Sequence, residues 1–168
     1  LEEIPNNPKQ RYELMTKDMP LGGELSLDMM YRTCGTQLNI DYNSEEDFIK
    51  KFKIVNSIVP ISIALFANSS IVEKKDSGYL SYRSKVWQST SRGGLPKLFL
   101  ENLNFEKYAE FVMNFPILFI QHKDNYISGR KYTFKDFMDG KIEEIENRLP
   151  SENDLTTHLS TIFTENRL

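Results

Sequence analysis

Apolar positions along the chain change their period several times, and each change marks an element. Between Arg32 and Tyr42 the period is two. Cys34, Leu38, Ile40 and Tyr42 fall on one side, and Thr33, Gly35, Gln37, Asn39 and Asp41 on the other. That period belongs to a strand, so residues 25–42 are predicted to turn into a strand whose apolar face, Cys34 included, rests on a core. From Phe48 the period lengthens to that of a helix, through Phe52, Val55 and Val59. Ser44, Glu45, Glu46 and Asp47 precede it as a capping box, with Asp47 placed to reach back to Ser44. The helix is predicted over residues 44–59. Pro60 is expected to break or kink it, and residues 61–67 to follow as a second, more buried segment.

The flanking stretches are read the same way. Residues 1–9 are rich in Pro and Asn and predict a linker. A short helix is predicted over 11–19, ended by Pro20 and the Gly22, Gly23 pair. Residues 68–94 have little periodicity, yet they carry Tyr79, Leu80, Tyr82, Val86 and Trp87, so an ordered loop around Arg83 and Trp87 is expected. Residues 97–100 read as extended, and Asn104 as the cap of a helix reaching Met113. A hairpin is predicted from 116–121 and 126–128, turning at Lys123, Asp124 and Asn125. Thr133 with Asp136, and Ser151 with Asp154, are two more capping boxes; Leu155, Leu159, Ile162 and Phe163 follow the second at helical spacing. Strands and helices mixed without a βαβ repeat predict an α+β fold.

Bulk composition narrows the function classes. A chain of 168 residues with a net charge of −3 is large enough for a real core and lacks the basic balance of a nucleic-acid binder. The most apolar run, residues 54–67, is broken by Asn56, Ser57, Pro60 and Ser62, so no membrane span is expected. One cysteine excludes an internal disulfide and favours a reducing compartment, from which a cytoplasmic location is expected. With His122 and His158 it is too sparse a set for a structural zinc site. The chain starts without Met and stops at Leu168 behind a helical pattern, so an internal piece of a longer protein is expected.

Candidate chemistry is concentrated in the polar half of the period-two stretch. A row of Gln, Asn and Asp side chains with no Lys or Arg between them reads as the floor of a site for a cation or polar ligand; a plain solvated strand face is the competing reading. Walker A, GxGxxG, HExxH and GxSxG patterns are all missing. His158 reads as a structural hydrogen-bonding residue, His122 as a turn residue, and Cys34 as a buried inert thiol.

RYELMTKDMP, LSLDMMYRTCGTQLNIDY, FANSS, GYLSYRSKVWQSTS, GGLPKLF, NFEKY, TFKDFMDGK and LTTHLSTIFTENRL follow one another along nearly the whole chain. In order and near-spacing they resemble glutamate–cysteine ligase of the plant and proteobacterial type. The resemblance implies a carboxylate–amine ligase of the glutamine-synthetase-like superfamily, which holds ATP and magnesium (Mg2+) on a curved, largely antiparallel sheet. In such an enzyme the γ-carboxylate of glutamate attacks the γ-phosphate of ATP. The amine of cysteine then displaces phosphate from the acyl phosphate, giving γ-glutamylcysteine for glutathione biosynthesis. Residues 1–168 would be one partial catalytic domain of a longer ligase. Its partners would be glutamate, cysteine, ATP and the rest of the same polypeptide, with no nucleic acid and no membrane.

The resemblance also implies roles. Arg11 and Arg83 match two arginines associated with glutamate binding, and a guanidinium suits a bidentate grip on a carboxylate; surface salt bridges are the plain alternative. Gln37 and Asn39 match amides of the sheet floor that face metal and nucleotide. An all-amide site would be weak and would need carboxylates from strands before Leu1. Arg32, Thr33 and Trp87 would line the same cavity, although Trp87 could equally be core. Three features depart from the family pattern. Ser91, Arg92, Gly93 and Gly94 stand where a longer acidic loop is usual, Leu118 stands where Tyr is common, and Gly35 replaces a commoner Thr. A ligase for another amine and a non-catalytic α+β interaction module remain as alternatives.

Overall fold

The computed structural model describes residues 3–5, 7–90, 92 and 102–164. They form two compact units, one built on residues 22–105 and the other on residues 2–21 and 106–163. Helices joined by short antiparallel pairings make up both, so the chain is α+β.

The second unit opens with α1 (Gln10–Asp18), and in the first unit the chain enters α2 (Ser26–Arg32). The strand expected over residues 32–42 does not form. Its first part is the helix, and Thr33 leaves it in an extended conformation (φ −107°, ψ 132°). A strand needs a neighbour to satisfy its backbone and cover a face, and among the described residues none pairs with residues 33–42. The expected core side is therefore open: Leu38 is 81% exposed, Ile40 49%, and Cys34 is exposed instead of buried. Only Tyr42 finds aromatic company, its ring centroid 5.4 Å from Phe48 and 5.8 Å from Phe105.

Ser44 then caps α3 (Glu45–Leu65), accepting from the Asp47 amide. The Asp47 carboxylate reaches past Ser44 to the Asn43 N–H at 3.0 Å and to Lys51 at 2.7 Å, so the box is only half closed. The Lys51 bond leads the causes that hold Asp47 below the usual carboxylate range. Pro60 neither breaks nor divides the helix, which runs through for 21 residues. Phe48, Phe52 and Asn56 face inward, while Ile54, Ile58, Ile61 and Leu65 are exposed. The half after Pro60 is thus the less buried one.

The stretch expected as an ordered loop contains more structure than its composition suggests. Ile71–Val72 (β1) pairs antiparallel with Lys75–Asp76 (β2), and Tyr82–Gln88 forms α4. Gly23 lets the turn before α2 lie against the end of α4, because a Cβ there would collide with the Ser89 carbonyl. The extended piece expected at 97–100 lies outside the described residues.

In the second unit α1 (Gln10–Asp18) ends in a 3₁₀ turn at Met19–Gly22. Arg130 donates to the Asp18 carbonyl, and Gln10 to the side chain of Asn125 at 3.1 Å, fastening α1 to the hairpin. After α5 (Phe105–Asn114) that hairpin pairs β3 (Phe119–His122) with β4 (Asn125–Ser128), with Lys123 at φ 55° in its turn. The two remaining capping boxes are complete, at α6 (Phe134–Met138) and α7 (Glu152–Ser160). Ile117, Ile120, Phe134, Phe137, Ile142 and Ile145 form the core. The inward face of α7 is shifted from the expected one: Leu155 and Leu159 are partly exposed, and His158 is buried. Its Nε2 donates to the Val112 carbonyl at 2.8 Å, and its ring stacks on Phe134 at 4.8 Å, the structural role expected of it.

Candidate functional site

Six of the seven candidate residues, Arg32, Thr33, Gln37, Asn39, Arg83 and Trp87, belong to the first unit, and Arg11 belongs to the second. Arg83 sits in the first turn of α4. Ser81 caps that helix by accepting from the Ser84 amide. Ser69 anchors it further: its carbonyl accepts from the Tyr82 N–H at 3.1 Å and its hydroxyl from the Arg83 N–H at 3.1 Å. Backbone placement of Arg83 is thus fixed before its side chain makes any contact.

The guanidinium is held at one edge and on one face. Nε donates to the Cys34 carbonyl at 3.0 Å, and Cζ lies 5.3 Å from the centre of the Trp87 ring one turn later on α4. Stacking on an aromatic face leaves the plane of the fork intact. Among the described residues no carboxylate pairs with Arg83. The terminal nitrogens therefore keep the geometry a bidentate carboxylate needs.

Arg32 differs in kind. Nη1 donates to Asp28 at 2.9 Å, and Nη2 pairs with Glu73 in the β1–β2 turn. Burial works against its charge, but the bonds to Glu73 and Asp28 outweigh it and hold the guanidinium above its ordinary range. An arginine already shared by two carboxylates fastens α2 to the hairpin. Thr33 is likewise occupied, its hydroxyl donating to the Met29 carbonyl at 2.6 Å.

Gln37 and Asn39 do share a side, as their period-two spacing required: Gln37 Nε2 donates to Asn39 Oδ1 at 2.7 Å. Both are exposed. As a magnesium site this pair does not fit by itself. Both groups are neutral, one oxygen already serves the other amide, and no acidic cluster able to hold a metal occurs among the described residues. In the second unit Arg11 lies over the Tyr12 ring at 5.2 Å. Leu118 is buried, 3% exposed, and its carbonyl accepts from Gly129.

Sequence reasoning missed Ser69 and Glu73 as parts of the arrangement. Ser69 lies in the FANSS motif, but pairings across 14 and 49 residues leave no trace in spacing.

The sequence matches glutamate-cysteine ligase family 2 (GCS2) over residues 2–168. It is 45% identical to the chloroplastic glutamate–cysteine ligase of Nicotiana tabacum, over 100% of this chain and 33% of that protein. Identity is also 45% to the chloroplastic enzyme of Medicago truncatula, over 99% of this chain and 34% of that protein. It is 44% to chloroplastic glutamate–cysteine ligase A of Oryza sativa subsp. japonica, over 100% and 35%. The chain spans about a third of the length of these relatives. Their names overturn the cytoplasmic expectation: each is called chloroplastic. A lone cysteine bears on redox conditions and does not identify a compartment.

Proposed function

The chain belongs to glutamate-cysteine ligase family 2, and from that premise we propose that it is part of the catalytic domain of a carboxylate–amine ligase. The reaction is ATP-dependent joining of the glutamate γ-carboxylate to the amine of cysteine through a γ-glutamyl phosphate. The ligase fold with its largely antiparallel sheet belongs to the same proposal. So do the small-molecule partners and the remainder of the same polypeptide. ATP supplies the phosphoryl group that turns the carboxylate into an acylating agent. Magnesium, where it serves, takes its charged ligands from residues other than Gln37 and Asn39.

The observation that carries the reading is the seating of Arg83. Its fork is stacked on Trp87, tied at Nε to the Cys34 carbonyl, and paired with no carboxylate among the described residues. Such a fork holds the α-carboxylate of glutamate bidentately and leaves the γ-carboxylate to react. Arg32 and Thr33 act behind it as supports, and Trp87 as the wall. Arg11 is proposed as a second glutamate contact on the strength of the family resemblance alone.

In the full-length protein, Arg83→Lys keeps the charge and removes the fork. A charge-assisted pair contributes about 1–3 kcal/mol, so KM for glutamate should rise about tenfold. The α-carboxylate is remote from the reacting one, so kcat should fall less and KM for ATP should barely move. A rise confined to the ATP constant makes Arg83 a phosphate clamp, and no change makes it a surface residue. ADP release measured with cysteine against other amines then tests the second substrate.

A further inference from the structure

The β1–β2 hairpin turns in two residues, Glu73 and Lys74, which follow the pairing of Val72 with Lys75. Both lie in the left-handed region, at φ 49° and 66°. A two-residue turn of that kind favours Asn or Gly, and longer side chains are disfavoured there. Both residues are exposed, so no core contact offsets the conformation. What Glu73 supplies is its carboxylate, which pairs with Nη2 of Arg32, the last residue of α2. Glu73 thereby closes a circuit around Arg83. Four residues before it, the Ser69 hydroxyl accepts from the Arg83 N–H at 3.1 Å and holds the start of α4. Two residues beyond Arg32, the Cys34 carbonyl accepts from Arg83 Nε at 3.0 Å. The segment 69–73 is therefore tied to α4 at one end and to α2 at the other, and Arg83 bridges the same two helices directly.

We propose that Glu73 is a positioning residue for glutamate binding: by holding Arg32 it fixes the chain leaving α2, so that the Cys34 carbonyl sets the orientation of the Arg83 guanidinium. The inference rests on the reading of Arg83 as the glutamate contact. Without the Glu73 carboxylate, Arg32 keeps its 2.9 Å bond to Asp28, which lies within α2 itself, and the tie from α2 to the hairpin is lost. The Cys34 carbonyl then shifts against α4, and the guanidinium bonded to it turns. A bidentate pair is sensitive to that turn, because both of its hydrogen bonds depend on one plane. Folding is not, because the Glu73 side chain is 69% exposed and surface ion pairs add little to stability. Glutamate at 73 therefore bears on affinity for the substrate carboxylate, at the expense of a better turn.

The test compares Glu73→Asn, Lys74→Asn and Arg83→Lys in the full-length protein, with Glu73→Asn also placed in the Arg83→Lys background. KM for glutamate and for ATP, kcat and melting temperature are read for each. An exposed ion pair shifts an equilibrium by up to about fivefold, so Glu73→Asn should raise KM for glutamate roughly two- to fivefold. KM for ATP should stay unchanged, and kcat should fall less than KM rises. Melting temperature should hold or rise, because asparagine suits a left-handed turn better than glutamate does. Lys74→Asn should help the turn in the same way and leave KM for glutamate where it was. In the Arg83→Lys background the Glu73 effect should vanish, since no guanidinium is left for the Cys34 carbonyl to orient. The proposal is overturned by an unchanged glutamate KM in Glu73→Asn, by an equal rise in Lys74→Asn or an equal effect in the Arg83→Lys background, or by a fall in melting temperature, which would make the pair structural. Failure of the underlying reading looks different: Arg83→Lys itself then leaves KM for glutamate unmoved, and the positioning role falls with it.

Discussion

Arg148 donates from Nη1 and Nη2 to the two oxygens of Asp154, at 2.9 Å each, and Nη2 also bonds the Gln121 carbonyl at 2.7 Å. Asp154 is at the same time the returning arm of the α7 capping box, accepting from the Ser151 N–H at 2.8 Å. Burial pushes its carboxyl up, but the Arg148 and Ser151 bonds prevail and hold it below the usual carboxylate range. A lowered folded value means the fold favours the charged form. The resulting stability is full above the ordinary value of 3.8 and is lost as pH falls through the folded value. Arg148→Ala should accordingly destabilise the chain by about 1.5–3 kcal/mol at neutral pH. The gap from the unsubstituted chain should narrow once pH drops below 3.8 and Asp154 protonates. Thermal melts at the two ends of that range check it. A gap independent of pH would assign the loss to the Gln121 bond and to packing of the guanidinium over the Phe137 ring, 4.9 Å away.

At the scale of elements, α3 shows what a helix pattern can and cannot carry. Pro60 lacks the N–H that would bond the Asn56 carbonyl, a defect of up to about 3 kcal/mol in a helix interior. Yet the helix continues to Leu65, and Pro60 is itself exposed. Its ring has no packing to lose, so Pro60→Ala should restore one backbone bond and stabilise the chain by about 1–3 kcal/mol in urea melts. A destabilised variant would show that the ring packs after all. Local signals were legible wherever local chemistry decides. Thr133 with Asp136 and Ser151 with Asp154 announced complete boxes, and the hairpin expected from 116–121 and 126–128 forms with 119–122 paired to 125–128. Residues 33–42 were not legible, because alternation specifies which side chains share a side and says nothing of whether a neighbour covers it. Gln37 and Asn39 did come together; Cys34, Leu38 and Ile40 stayed open. The candidate site was half legible in the same sense. Arg83 and Trp87 were readable as a pair, whereas the occupation of Arg32 by Asp28 and Glu73 depends on a turn that spacing does not show.

For the molecule as a whole, the decisive quantity is apolar surface left in water. Ile54, Ile58, Ile61 and Leu65 recur at helical spacing along one side of α3, and all are exposed, as is Phe66 just beyond. In the same unit Leu38, Ile40, Ile71 and Leu80 are exposed too. Single exposed apolar residues are ordinary, but a stripe two turns and more in length favours association in a 168-residue chain whose net charge of −3 offers little repulsion. The polypeptide of these residues alone should therefore self-associate at micromolar concentration. Sedimentation velocity should show mass rising with concentration, and added salt should strengthen the effect, as apolar contact requires and ion pairing forbids. Ile58→Glu with Ile61→Glu places two charges in the stripe at exposed positions. The double variant should stay monomeric at concentrations where the parent associates, with its melting temperature unchanged. A parent that remains monomeric throughout would sink the idea. Association that persists in the variant would move the sticky surface to the open segment 33–42, which pairs with no strand among the described residues and is the other feature able to recruit a second chain.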